Sequence, residues 1–253
     1  MFKCFRLEVT TELLNLIAGY DMERNLKIVE EKKNIYYNLE KFIDKDHINL
    51  SNIESEWFEI SEYDVFLSHS HKDIEIVNQL ASWLTVEMNL KVFVDSYIWG
   101  YADDLIKVID ERYCKCDDGT YNYKKRNKST SHVHVMLNNS IAKAMDKSEC
   151  VIFLDTKNSL SMKSNVENGT SSEWIYSELL FTKLIEKKIP KRYKEQKYLS
   201  KGESLNESLN PLYFVDIKEL IELNVKNLEL AKIRGCIKGK NSGLDYFYNI
   251  SKK

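Results

Sequence analysis

The run Cys150-Val151-Ile152-Phe153-Leu154-Asp155 constrains the fold more than any other part of the chain. Its apolar residues follow one another without a break, so no side of a strand is left to face water and the segment is expected to be covered on both faces. Parallel sheets flanked by helices bury strands in this way, and two shorter runs fit the same plan. Tyr63-Asp64-Val65-Phe66-Leu67 ends in Ser-His-Ser-His and is followed over 73–86 by Ile74, Val77, Leu80, Ala81 and Leu84 at helical spacing. Lys91-Val92-Phe93-Val94-Asp95 repeats the strand signal, ahead of an expected loop over 96–101 and a helix face made by Leu105, Ile106 and Ile109. Alternation of strand and helix with short connections implies an α/β fold whose parallel sheet has helices on both sides. Ligands of such sheets bind beyond the carboxyl ends of the strands, which directs attention to the loops after Leu67, Asp95 and Asp155.

The flanking segments read differently. Residues 11–43 are expected to be helical: Leu13, Leu14, Ile17 and Tyr20 form one stripe, and Ile28, Ile35 and Phe42 recur further on, with Thr10 or Thr11 as a cap. Together with a polar stretch after 43, this defines an expected N-terminal helical extension over 1–60, attached to a main domain over 61–253. Residues 112–134 are polar and rich in Lys, Asn, Tyr and Ser, and read as an insertion; helical signal resumes at Met136, Leu137, Ile141 and Met145. Beyond the loop after Asp155, Ser171 or Ser172 is placed to cap a helix reaching about 188. Over 190–253 the pattern is weaker, with a strand expected at 212–217 and helices at 218–233 and 243–250.

Composition narrows the function classes. Among 253 residues, apolar types make up 43% and charged types 30%, the balance of a globular domain. The net charge of −2 gives no global basic bias toward a nucleic-acid backbone. The start of the sequence has no signal-peptide pattern and no window is apolar enough for a transmembrane helix, so a cytoplasmic protein without a membrane partner is expected. Five cysteines, unevenly spread, suit reduced thiols better than a disulfide framework. Cys114-x-Cys116 and His132-x-His134 suggest zinc, but ligands at i and i+2 on extended chain point to opposite sides and structural sites use wider spacings. No metal is expected.

Three blocks carry a resemblance to a known family. Tyr63-Asp64-Val65-Phe66-Leu67-Ser68-His69-Ser70-His71-Lys72-Asp73 resembles the first strand and loop of Toll/interleukin receptor (TIR) domains. Val92-Phe93-Val94-Asp95 with Gly100 in the following loop resembles the second strand and loop, and Trp174 followed four residues later by Glu178 resembles the helix that carries the catalytic glutamate of TIR enzymes. The blocks stand in the family's order and cover roughly 63–188. The segment 112–134 is longer than in a compact TIR domain, and Trp99 stands where many relatives have a charged residue. The likeness is closest to bacterial TIR proteins of anti-phage defence, such as the TIR component of Thoeris systems. It implies a flavodoxin-like TIR fold and hydrolysis or cyclisation of NAD, bound as substrate and not as cofactor. It further implies self-association, a nucleotide product that activates a separate effector, and a phage-derived trigger; a non-catalytic scaffold acting by self-association is the alternative.

The chemistry of nicotinamide release makes few demands. The leaving nicotinamide is cationic before it departs and neutral after, so it needs no general acid; an oxocarbenium-like ribose develops instead, and a carboxylate stabilises it. Glu178 is the candidate catalytic residue, with Trp174 one helical turn earlier as a stacking surface. Glu173 ranks second, because a carboxylate at a helix N-terminus is favoured there by the dipole alone. His69, Ser70, His71, Asp95, Trp99 and Trp174 are the expected substrate contacts. Asp155 also resembles the phosphoacceptor of response-regulator folds, but the acidic pair such folds place after the first strand is here Ser-His-Ser-His.

Overall fold

A computed structural model describes residues 1–20, 42, 49–57, 62–160, 169–170, 172–192, 213–214, 217 and 219–250, with backbone alone for 56, 57, 97–102, 104, 169, 213 and 214. The core is a five-stranded, all-parallel sheet of β1 (Lys3–Glu8), β2 (Tyr63–Ser68), β3 (Val92–Val94), β4 (Ser148–Asp155) and β7 (Ile221–Leu223). Its spatial order is β3-β2-β4-β1-β7, consistent with a flavodoxin-like α/β fold. The two-residue strands β5 (Gly169–Thr170) and β6 (Tyr213–Phe214) pair antiparallel outside it.

The doubly covered strand anticipated at 150–155 sits at the centre. Successive residues of β4 alternate between two cores. Val151 and Phe153 join Phe66 of β2 and Phe93 of β3 beneath α2 (Leu50–Trp57), α4 (Ser96–Ile109), α5 (Tyr123–Lys147) and α6 (Glu173–Leu184). Cys150, Ile152 and Leu154 join Phe5, Leu7, Val65 and Leu67 on the other face. That face is covered by α1 (Thr11–Ile17), α3 (Ile74–Met88), α7 (Val225–Lys238) and α8 (Lys240–Tyr248). Every residue of the Val151–Leu154 stretch is at most 1% exposed, so its apolar continuity follows from two-sided burial.

Several expectations are corrected. Residues 3–8, assigned to a helical extension, form β1 and fill the position between β4 and β7, so the N-terminal segment belongs to the sheet. Lys3 and Arg6 obscured this in the sequence. Their charged ends escape the sheet, Lys3 Nζ to the Tyr248 carbonyl at 2.6 Å and Arg6 Nε to Asp155 Oδ2 at 2.7 Å, while Cys4, Phe5 and Leu7 go inward. The helix expected over 11–43 is described only as α1, capped by the Thr10 hydroxyl accepting from the Leu13 amide, and residues 21–41 lie outside the described residues. The expected loop over 96–101 is the first part of α4.

The polar insertion over 112–134 resolves into two parts. A wide π-type turn (Asp110–Cys114) leads to a tight excursion closed by a bridge between Lys115 and Tyr121, and α5 then starts behind its Asn122 cap. Its first turns are polar because they project beyond the core, and Val133 is the first of its residues buried there. Of the strand expected at 212–217, residues 213–214 form β6, while 212, 215 and 216 lie outside the described residues; the fifth sheet strand lies at 221–223, inside a stretch expected to be helical, and Asn224, reciprocally bonded with Asn227, starts α7 after it. Among the described residues no helix is long and apolar enough to cross a membrane.

Candidate functional site

The chain order reverses at β2, whose neighbours are β3 and β4. At the carboxyl end of this switch the sequence supplies a cluster of buried polar groups, where an α/β sheet holds its ligands. β2 ends in Ser68 and runs into His69 and Ser70, while β3 ends at Val94 and is followed by Asp95, the residue before α4. Helix α6, capped by the Ser172 hydroxyl accepting from the Ile175 amide, anchors Ile175 and Leu179 in the core and carries Glu178 between them.

Glu178 is 1% exposed. Its Oε2 accepts a hydrogen bond from the Ser68 hydroxyl, and its other oxygen finds no donor among the described residues. The Asp95 carboxyl, itself buried, lies within hydrogen-bonding reach. Burial pushes the Glu178 carboxyl well above the usual carboxylate range; the charge of Asp95 and a hydrogen bond with it add to this, and the Ser68 hydroxyl opposes it. Two carboxyls this close resist ionising together in a dry interior, so Glu178 keeps its proton to higher pH than a free glutamate does.

His69 supports the pair from the β2 side. Its Nδ1 donates to the Leu67 carbonyl at 3.2 Å and lies 3.2 Å from Asp95 Oδ1, without hydrogen-bond geometry to it. With the proton on Nδ1, Nε2 accepts from the Ser96 hydroxyl at 2.9 Å. The imidazole thus joins the end of β2 to the first residue of α4. Ser68 and Ser96 were not selected as site residues from the sequence. Ser68 lies inside the block from Tyr63 to Asp73, and its position at the strand end is the available signal; Ser96 carries none.

The remaining candidates separate. Ser70 is buried and precedes the short turn His71–Asp73, whereas His71 is exposed at the start of that turn. The Trp99 side chain lies outside the described residues. Trp174 does not share the surroundings of Glu178: it is half-buried, and its indole meets the edge of His134 with ring centroids 5.4 Å apart. Four residues advance a helix by about 6 Å, enough to move from the rim of the sheet at Trp174 to its interior at Glu178. Glu173 is exposed in the first helical turn.

Two further polar links tie the neighbouring loops. Asp73 accepts from Thr156 Oγ1 and Asn158 Nδ2, both at 2.6 Å, joining the loop after β2 to the loop after β4. Asp155 is engaged by Arg6. Of the zinc candidates, Cys114 is buried while Cys116, His132 and His134 are exposed, and among the described residues no three His, Cys, Asp or Glu side chains are grouped to hold a metal ion. No family model, no curated protein and no solved structure matches this chain.

Proposed function

We propose that the protein cleaves the bond between nicotinamide and ribose in NAD, as the TIR-like blocks imply, with Glu178 as the catalytic carboxyl. The observation that carries this reading is the buried Glu178–Asp95 pair, held by Ser68 and His69 at the carboxyl ends of adjacent parallel strands. A buried carboxyl that holds its proton beside a second acid is poised for a cationic substrate. A pyridinium brought beside it favours the ionised form of both groups, so substrate binding supplies the charge change that desolvation resists. As the glycosidic bond breaks, positive charge moves from the nicotinamide ring to the ribose, and the Glu178 carboxylate stabilises it there. Water then completes the hydrolysis, giving nicotinamide, ADP-ribose and one proton. A ribose or base atom of the same molecule in place of water gives a cyclised product. In this reading the product activates a separate effector in anti-phage defence.

The test is incubation of the purified protein with NAD, followed by chromatography for nicotinamide. Wild type is expected to release it and Glu178→Gln to release none; an unchanged rate in the variant removes Glu178 from the role.

One observation favours a second reading. Glu178 and Asp95 are 1% and 3% exposed, as expected of a polar network that only holds the ends of β2, β3 and α6 in register. A scaffold acting by self-association would then consume no NAD, and its partner binding would survive Glu178→Gln unchanged.

A further inference from the structure

Away from the carboxyl pair, a cavity of about 520 Å³ opens between the end of α4, the turn after it and the first turns of α5. Its floor is apolar, made by Leu50, Ile109, Tyr113 and Val133. Its rim carries two lysines on one stripe of α5, where Lys125, Lys128 and His132 follow each other at helical spacing. Between the two lysines, Arg126 is already occupied, its Nε 2.8 Å from the buried Asp110, and Ser129 donates to the other oxygen of the same carboxyl at 3.1 Å. Asp110 therefore pins the start of α5 to the preceding turn and is neutralised in doing so. Lys125 and Lys128 have no carboxylate partner among the described residues. Lys125 also lies in the first turn of a 25-residue helix, where the backbone dipole adds to the positive potential.

We propose that this cavity binds a small organic anion with an aromatic or other flat apolar body, the body against Tyr113 and Val133 and a phosphate or sulfonate head against Lys125 and Lys128. The volume lies in the range of about 300–1,000 Å³ typical of small-molecule sites, which combine an apolar lining with a few polar anchors. A plain anion would leave the floor uncovered, and a neutral hydrophobe would leave two lysines without a partner. Only a molecule with both parts complements the whole surface. The site stands independently of the NAD reading.

The probe is 1-naphthyl phosphate, titrated into the intact protein by calorimetry, with 1-naphthol and inorganic phosphate as separate arms. Saturable binding is expected for the naphthyl phosphate, and at least about tenfold weaker binding for either fragment, because each lacks one of the two contacts. Lys125→Gln/Lys128→Gln, a change of exposed side chains, is expected to weaken binding by about tenfold or more while leaving the melting temperature unchanged, since charge-assisted contacts are lost. Lys147→Gln/Lys191→Gln, which removes the same charge from another cavity at the amino ends of the strands, should bind as wild type. Absence of saturable binding by wild type overturns the proposal. So do equal binding by phosphate alone, or an equal loss in both double variants, which would reduce the effect to general electrostatics.

Discussion

Ser68 and Glu178, 110 residues apart in the chain, are joined by a buried hydrogen bond in which the serine hydroxyl donates to the carboxyl. The bond links the end of a central strand to the middle of a helix packed on the sheet. With Asp95 just after the neighbouring strand it creates an environment of opposing influences: burial and a second acid favour the protonated Glu178, and one hydroxyl favours the ionised form. The balance makes the contribution of Glu178 to stability depend on pH and, under the proposed function, sets its readiness to act; the two can be measured separately.

Glu178→Gln is expected to raise stability and, under the proposed function, to abolish nicotinamide release. The folded state holds the Glu178 proton more tightly than the unfolded chain, whose value is near 4.5. Its contribution is therefore complete below that value and is lost as pH rises toward the folded value. A glutamine amide copies the protonated acid, donating to Asp95 and accepting from Ser68, and does not titrate. Thermal melts at pH 5 and pH 8 should show a variant advantage that is larger at pH 8, by about 2–4 °C, the shift that ~1 kcal/mol makes in a chain of this size. A variant that melts lower than wild type at pH 8 would refute the description of Glu178 as a carboxyl held protonated by burial and Asp95.

Ser68→Ala removes the one hydrogen bond that favours the ionised Glu178. The carboxyl should then hold its proton to higher pH, so any nicotinamide release that needs the carboxylate should have its rising limb displaced toward alkaline pH. Loss of the bond should also cost about 1–3 kcal/mol in denaturant unfolding, the usual penalty for a buried group left without its partner. Ser68→Thr keeps the hydroxyl and is expected to restore the wild-type pH profile. A merely structural role for Ser68 would lower stability without moving that profile.

How far the site and fold can be read from the sequence depended on whether each residue's neighbours were local. The strands at 63–68 and 148–155 and the helix that carries Glu178 were legible, because two-sided burial and helical spacing leave continuous marks over several residues. β1 was not, since Lys3 and Arg6 interrupt its pattern and find partners only in Tyr248 and Asp155, far along the chain. The strand at 221–223 is too short to announce itself beside a capped helix. In the site, Asp95 and His69 were marked by strand-end position, while the pairing of Glu178 with Ser68 rather than with its helical neighbour Trp174 is a tertiary fact with no local signature.

The crossing of α7 and α8 supplies a matched pair of substitutions. A Cβ on Gly243 would stand 2.8 Å from the Ala231 carbonyl oxygen and 3.1 Å from the Met88 methyl, so Gly243→Ala must push the helices apart and should destabilise by about 1–3 kcal/mol. A Cβ on Gly235 meets only the Gly243 Cα at 4.0 Å, an ordinary contact. Gly235→Ala should therefore stabilise, by about 0.5–1 kcal/mol, through the higher helix propensity of alanine. Urea unfolding of the two variants against wild type checks the opposite signs.

Arg6 and Asp155 test whether β1 is an integral strand. The guanidinium holds the Asp155 carboxylate at the carboxyl end of the sheet, and the aspartate is the more buried partner, with 11% of its side chain exposed against 30% for the arginine. Arg6→Met keeps the aliphatic stem packed in the sheet but leaves a largely desolvated carboxylate without its cation, a loss of about 2–3 kcal/mol, below the full penalty of a deeply buried pair because the arginine is partly in water. Adding Asp155→Asn to that variant removes the stranded charge and should recover part of the loss. The non-additivity, measured by a double-mutant cycle in denaturant, is the expected mark of a direct contact between the first strand and the central one. Additive losses would mean that the N-terminal strand and β4 do not meet at these two side chains.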